Sequence, residues 1–148
     1  MTLTETLKTF LTTYSVGRDS VTYIAQLSDD TWQVDYDNGP SILIRLDEAA
    51  GRLALQAVLG RVPADRKLAV YEALLVYSVL WRETGGVRGA LNAEGEAMLL
   101  VDLILANVSE SLLHRALDNF SVKSRFFAAH VAAGAPADEA DTSSFIRL

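Results

Sequence analysis

Between Leu68 and Trp81 the chain reads LAVYEALLVYSVLW, an apolar run broken only by Glu72 and Ser78. The segment is rich in Leu, Ala and Glu and holds no Gly or Pro, so a helix is expected. As a helix it spans roughly 21 Å, too short for a hydrocarbon core of about 30 Å. A surface helix needs one apolar stripe, whereas this one is apolar nearly all round and must be covered on two sides. One cover is the chain's own sheet. A second copy of the chain is the expected other cover, so the sequence points to a homodimer before it points to any chemistry.

Bulk properties narrow the class of partner. A chain of 148 residues with 50% apolar residues supports one domain with a full core. The net charge of −6 argues against nucleic acid, which is held by clustered Lys and Arg. There is no Cys, so disulfides, thiolate metal sites and thiol catalysis are excluded. The segment MTLTETLKTFLTTY has no basic n-region or long apolar h-region. It is therefore not read as a signal peptide, and a cytoplasmic protein without membrane insertion is expected.

Along the chain, Leu3, Leu7, Phe10, Leu11 and Tyr14 mark an amphipathic helix, with Thr2 and Glu5 at capping-box spacing and Gly17 as its stop. Val21 to Leu27 is β-prone but alternates poorly, and it is left out of the element order. Three alternating runs follow, Trp32–Tyr36, Ile42–Leu46 and Leu53–Ala57, with a strong turn at Asp37-Asn38-Gly39-Pro40. The apolar helix is expected from about Ala64 to Thr84 and ends at Gly85-Gly86. Strands at Val87–Leu91 and Ala97–Leu105 come next. The second of these, AMLLVDLIL, is apolar on both faces except at Asp102. Ser109 opens a last helix whose Leu113, Ala116, Leu117, Phe120, Ser124, Phe127 and Val131 share a face. The expected fold is α+β in the order α-β-β-β-α-β-β-α, a twisted antiparallel sheet packed with helices. It forms one domain over 1–133, followed by an acidic tail over 134–148.

Motifs that carry chemistry are missing. There is no G-x-G-x-x-G, P-loop, H-E-x-x-H or G-x-S-x-G. Gly85-Gly86-Val87-Arg88-Gly89 follows a helix, the wrong context for a phosphate cradle. His114 and His130 are too far apart on one helix to share a metal, and His114 with Asp118 reads as a solvated i,i+4 pair. Asp29, Asp30, Asp35 and Asp37 lack the spacing and closing Glu of a calcium loop. Asp35 and Asp47 could be read as paired carboxylates, but nothing places them in a pocket. No catalytic residue, metal or cofactor is expected. The surplus is in large apolar side chains, which point to grooves for an extended or helical peptide.

The ordered pattern resembles the class I chaperones of bacterial type III secretion, the Tir-chaperone-like family, over about Thr2 to Ala133. Its most specific stretch is Arg52 to Leu103. There Leu59-Gly60-Arg61-Val62-Pro63 leads into the apolar helix, and Thr84-Gly85-Gly86 into a short strand. Glu94-Gly95 then turns into the strongly apolar strand, and the closing helix carries Phe126-Phe127. The resemblance implies a homodimer without ATPase activity that holds the N-terminal region of an effector as extended chain. It also implies a dimer interface at Tyr71, Leu74, Leu75, Ser78, Arg82, Val87 and Ala90. Periodicity does not rank the helix's two apolar faces. Effector contacts are implied at Leu7, Leu11, Trp32, Val34, Leu43 and Leu100. Two other readings stay open: an α+β adaptor that binds folded partners outside secretion, and a small enzyme or ligand-binding domain with a closed pocket.

Overall fold

The computed structural model describes residues 1–80, 82–83 and 85–133. Trp81, Thr84 and the tail from Gly134 to Leu148 lie outside the described residues, and so do the expectations that fall on them. Helix α1 spans Leu3–Tyr14. Its capping box closes as expected: the Glu5 N–H donates to the Thr2 hydroxyl (3.1 Å), and the Thr2 N–H donates to the Glu5 carboxylate (3.0 Å). Gly17 takes φ 78, a left-handed conformation that lets the chain leave the helix.

Strands β1 (Val21–Ser28), β2 (Thr31–Tyr36), β3 (Ile42–Asp47) and β4 (Arg52–Arg61) follow as a meander. A 3-10 turn at Ala64–Arg66 leads into helix α2 (Lys67–Val79). Strands β5 (Arg88–Leu91) and β6 (Glu96–Ile104), a second 3-10 turn at Leu105–Asn107 and helix α3 (Glu110–Ala133) complete the described chain. All strand pairs are antiparallel, in the order β1-β2-β3-β4-β6-β5. No helix among the described residues is long and apolar enough to cross a membrane.

The α+β class and antiparallel sheet are as expected, with three differences in detail. The sheet has one strand more than the expected order, because Val21–Ser28 pairs along β2 as an edge. Strand β4 runs past the expected Ala57 to Arg61 through a bulge beside Gly60 (φ 121). Helix α2 is shorter than expected, because Ala64–Arg66 after Pro63 forms a 3-10 turn and the helix begins at Lys67.

One face of the sheet carries the core. Ile44, Leu55 and Val101 lie in one inward row, and Ala57, Leu99 and Gly89 in another. Leu7, Leu11 and Tyr14 of α1 pack above this face, with Leu113, Leu117, Phe120 and Phe127 of α3. Helix α2 lies against β5, and its Val70, Leu74 and Tyr77 complete the core. The other face holds the row Gln33, Leu43, Gln56, Leu100 and Arg88. Two-sided apolarity of β6 resolves accordingly. Leu99 and Val101 face the core. On the outer side Met98 is buried, and Asp102 pairs with Arg88 (3.3 Å) and Arg52 (3.5 Å).

Candidate protein-binding site

Helix α2 divides cleanly into two faces. Leu68, Leu75 and Val79 recur at helical spacing and are 81%, 70% and 78% exposed, with the carboxylate of Glu72 on the same stripe. Val76 flanks them. Three large exposed aliphatic side chains on one stripe form a surface patch that water solvates poorly. The opposite face is tied to the chain's own sheet. Leu74 is buried over Gly89, and the Ser78 hydroxyl accepts the Gly89 N–H at 3.0 Å. That hydroxyl also lies 2.9 Å from the Leu74 carbonyl oxygen and 3.1 Å from that of Gly89.

The implied interface residues therefore do not share one surface. Leu75 and Arg82 are exposed, while Tyr71, Ser78 and Ala90 are half-buried. Leu74 and Val87 are buried in the core of the chain. Leu68, Val76 and Val79 were missed as surface residues. The available signal was Glu72: a carboxylate in an apolar helix marks the stripe that faces water.

A groove of about 480 Å³ opens between α1 and β1. Lys8, Leu11 and Thr12 of α1 with Ser15 just after it form one wall, and Val21 to Ile24 with Gln26 of β1 form the other. The indole of Trp32, from β2, lies at its floor. Among the described residues strand β1 is a sheet edge, and its outer backbone groups have no strand partner there. Its pairing with β2 is irregular at both ends, between Val21 and Tyr23 and between Gln26 and Ser28. Tyr23 (63%) and Leu27 (56%) are exposed there. The floor is apolar, the rim is polar, and an open strand edge runs alongside. That combination suits an extended polypeptide.

The six implied effector contacts separate into three places. Leu11 and Trp32 line this groove. Leu7 and Val34 are buried in the core, as are Leu11 and Trp32, but are not in the lining of the groove. Leu43 lies on the opposite sheet face, in a shallow depression of about 370 Å³ with Gln33, Ser41, Gln56 and Val58. Leu100 is half-buried in the same cross-strand row. The β1 side chains of the groove were missed. Their signal was the poor alternation itself, since an edge strand beside a groove has no single apolar face. A further depression of about 420 Å³ lies between α3 and the β5–β6 end of the sheet. Val87, Val101 and Phe120 are in its lining, as are Arg115 and Lys123. Burial lowers the Lys123 ammonium below its ordinary range.

The titratable groups with shifted values tie elements together. The Tyr14 hydroxyl donates to Asp118 Oδ1 at 2.9 Å and lies 2.9 Å from the Tyr36 hydroxyl. Arg18 donates to both oxygens of Asp118, at 3.0 and 2.9 Å, with its guanidinium 4.5 Å from the centroid of the Tyr14 ring. Burial pushes the Tyr36 phenol up to about 12 and, with the Tyr36 hydrogen bond, pushes Tyr14 well above the ordinary range. Burial alone would raise Asp118, but the Arg18 guanidinium and the Tyr14 hydroxyl hold its carboxyl below the usual value. Among the described residues, no group of three or more His, Asp or Glu could hold a metal.

Solved structures share this fold. The chain is similar to the crystal structure of the ExsC–ExsE complex, with a TM-score of 0.71 and 16% identity over 91% of this chain and 100% of that one. It is similar to the heterodimeric ExoU–SpcU complex from the type III secretion system of Pseudomonas aeruginosa (TM-score 0.63, 18% identity, 84% of this chain and 97% of that one). It is also similar to the HopA1–SchA chaperone–effector complex (TM-score 0.63, 17% identity, 84% and 94%). No curated protein matches the sequence. Residues 21–126 match the model of the Tir chaperone protein family, CesT, and that span is most of the chain. With the fold in agreement, the chain belongs to the Tir chaperone protein (CesT) family.

Proposed function

We propose that this chain is a cytoplasmic type III secretion chaperone that acts by binding alone. As a homodimer, it holds the N-terminal region of an effector as extended chain, which keeps the effector soluble and fit for export. Family membership and the chaperone–effector complexes among the similar structures support this reading. The observation that carries it is the groove between α1 and β1 beside a strand edge that is unpaired among the described residues. A client strand adds to β1 through main-chain hydrogen bonds, and alternate side chains enter the groove over Leu11 and Trp32. Burial of client side chains offsets the entropy of ordering an unfolded segment. The second copy covers the Leu68, Leu75 and Val79 stripe of α2. Each such side chain contributes about 1.5–3 kcal/mol when fully buried.

Co-expression with the protein encoded in the neighbouring reading frame, followed by mass spectrometry of the complex, tests the reading. The expected result is two copies of this chain with one client whose bound region exchanges amide hydrogens as unfolded chain does outside its anchor points. A monomer at micromolar concentration by light scattering would overturn the homodimer. A client that is folded before and after binding would favour an adaptor of folded partners instead.

A further inference from the structure

Burial of the Leu7, Leu11 and Tyr14 stripe brings α1 onto the core, but apolar burial is non-directional and leaves a helix free to roll or slide. Directional contacts come from α3. Glu110, His114 and Asp118 are spaced four residues apart, so they stand one above another on one face of that helix. Each grips the C-terminal half of α1. The Thr13 hydroxyl lies 2.7 Å from the Glu110 carboxylate, and the ring Nε2–H of His114 donates to the Phe10 carbonyl at 2.7 Å. Asp118 takes Tyr14 and, bidentately, Arg18. Arg18 also donates to the Tyr14 carbonyl at 3.0 Å, which holds the connection that leads from α1 to β1. Through the Tyr36 hydroxyl the same network reaches β2, the strand that carries Trp32.

We infer that Glu110, His114 and Asp118 are positioning residues that set the spacing of α1 from β1, and with it the width of the client groove. Lys8 and Thr12 sit on the wall that α1 presents to β1, so a small roll of this helix changes the opening directly. The side chains of Asp118 and Arg18 are 47% and 29% exposed, so the pair contributes little to global stability. Its effect is geometric: a bidentate pair fixes orientation where apolar contacts do not. Glu110, His114 and Asp118 are not in the lining of the groove between α1 and β1. The ladder rests on the groove reading above for its role in client binding, but its effect on helix spacing can be measured without a client.

The chain has no Cys, so a cysteine pair at Thr12 and Thr22, on opposite walls of the groove, can carry spin labels for distance measurement. Binding is read separately on unlabelled protein with bis-ANS, an anionic fluorescent probe of apolar surface, with Leu75→Glu in every variant so that the exposed α2 stripe does not take it up. Asp118→Asn should broaden and shift the label distance and weaken bis-ANS roughly 2- to 30-fold, the range of couplings carried by packed side-chain networks. Glu110→Gln, at the exposed end of the ladder, should shift the distance less and serves if Asp118→Asn folds poorly. Val131→Ala, a core change far along α3, is the control and should leave the distance unmoved even though it costs more stability than Asp118→Asn. Unmoved distances in Asp118→Asn and Glu110→Gln would overturn the proposal. A shifted distance with bis-ANS binding indifferent to Thr22→Glu in the chain that otherwise carries only Leu75→Glu would uphold the ladder and remove the groove reading instead.

Discussion

Gly89 lies so close to Leu74 that a methyl group on its Cα would sit 2.7 Å from Leu74 Cδ2 and 3.0 Å from the Leu74 carbonyl oxygen. The side chain can swing aside, but the helix backbone cannot. Close approach of α2 to β5 therefore depends on glycine at this position. Gly89→Ala should destabilise the chain by about 1–3 kcal/mol, the usual cost of overpacking, read from the denaturant midpoint. Leu74→Ala should cost about 2–5 kcal/mol through the cavity it leaves. The double variant should cost less than the sum, since one clash is relieved. Strict additivity would mean that the two residues do not share this contact.

Opposite faces of α2 should respond differently to charge. Leu75→Glu or Val79→Glu places a carboxylate on the exposed stripe and should yield a folded monomer, with an unchanged circular dichroism spectrum and half the mass by light scattering. Leu74→Glu, on the buried face, should unfold the chain. A dimer that survives both exposed substitutions would remove this helix from the interface.

Stability should fall at both ends of the pH scale for separate reasons. The Asp118 carboxyl is held below its unfolded value of about 3.9. Its contribution is complete above about pH 4 and is lost as pH falls through the folded value. Tyr77 runs the other way. Burial raises its phenol to about 12, against about 10 in an unfolded chain. Its contribution is complete below about pH 10 and is lost as pH rises towards about 12. Asp118→Asn should lessen the acid loss only slightly, since the pair is partly exposed and Asp30 and Asp35 are also held low by their hydrogen bonds. Tyr77→Phe should lessen the alkaline loss in part, since burial raises Tyr36 and Tyr14 as well. A denaturant midpoint series from pH 2 to 11 checks both, and an acid limb unchanged in Asp118→Asn would exclude that carboxylate as one of its sources.

Ser124 is fully buried on α3, and its hydroxyl has no hydrogen-bond partner among the described residues. Removing an unsatisfied polar group of this size relieves its desolvation. Ser124→Ala should be neutral or stabilising by up to about 1 kcal/mol, measured by thermal unfolding. A clear loss of stability would show that the hydroxyl is satisfied in solution.

Much of the scaffold was legible because local chemistry and burial agree. Thr2 and Glu5 announce the start of α1, Asn38-Gly39 the β2–β3 turn, and Ser109 the start of α3, where its hydroxyl accepts the Leu112 N–H at 3.1 Å. Strand β1 escaped the element order because an edge strand beside a groove has neither face cleanly apolar. The faces of α2 were not separable by period alone, since Leu74 and Leu75 are equally apolar and only tertiary contact with Gly89 tells them apart. Leu7 and Val34 have the composition of groove residues and the position of core residues. His114 and Asp118 looked like a solvated pair because their partners, Phe10, Tyr14 and Arg18, are about a hundred residues away in sequence.

Pairing of an extended client with β1, over the groove between α1 and β1, is tested by amide hydrogen exchange on the chain alone and in complex with the client captured by co-expression. New protection is expected across Val21–Ser28 and in the α1 residues that wall the groove. Exchange along the Leu43 and Leu100 row of the opposite sheet face should not change. Protection on that opposite face, with β1 exchanging as in the free chain, would contradict the pairing.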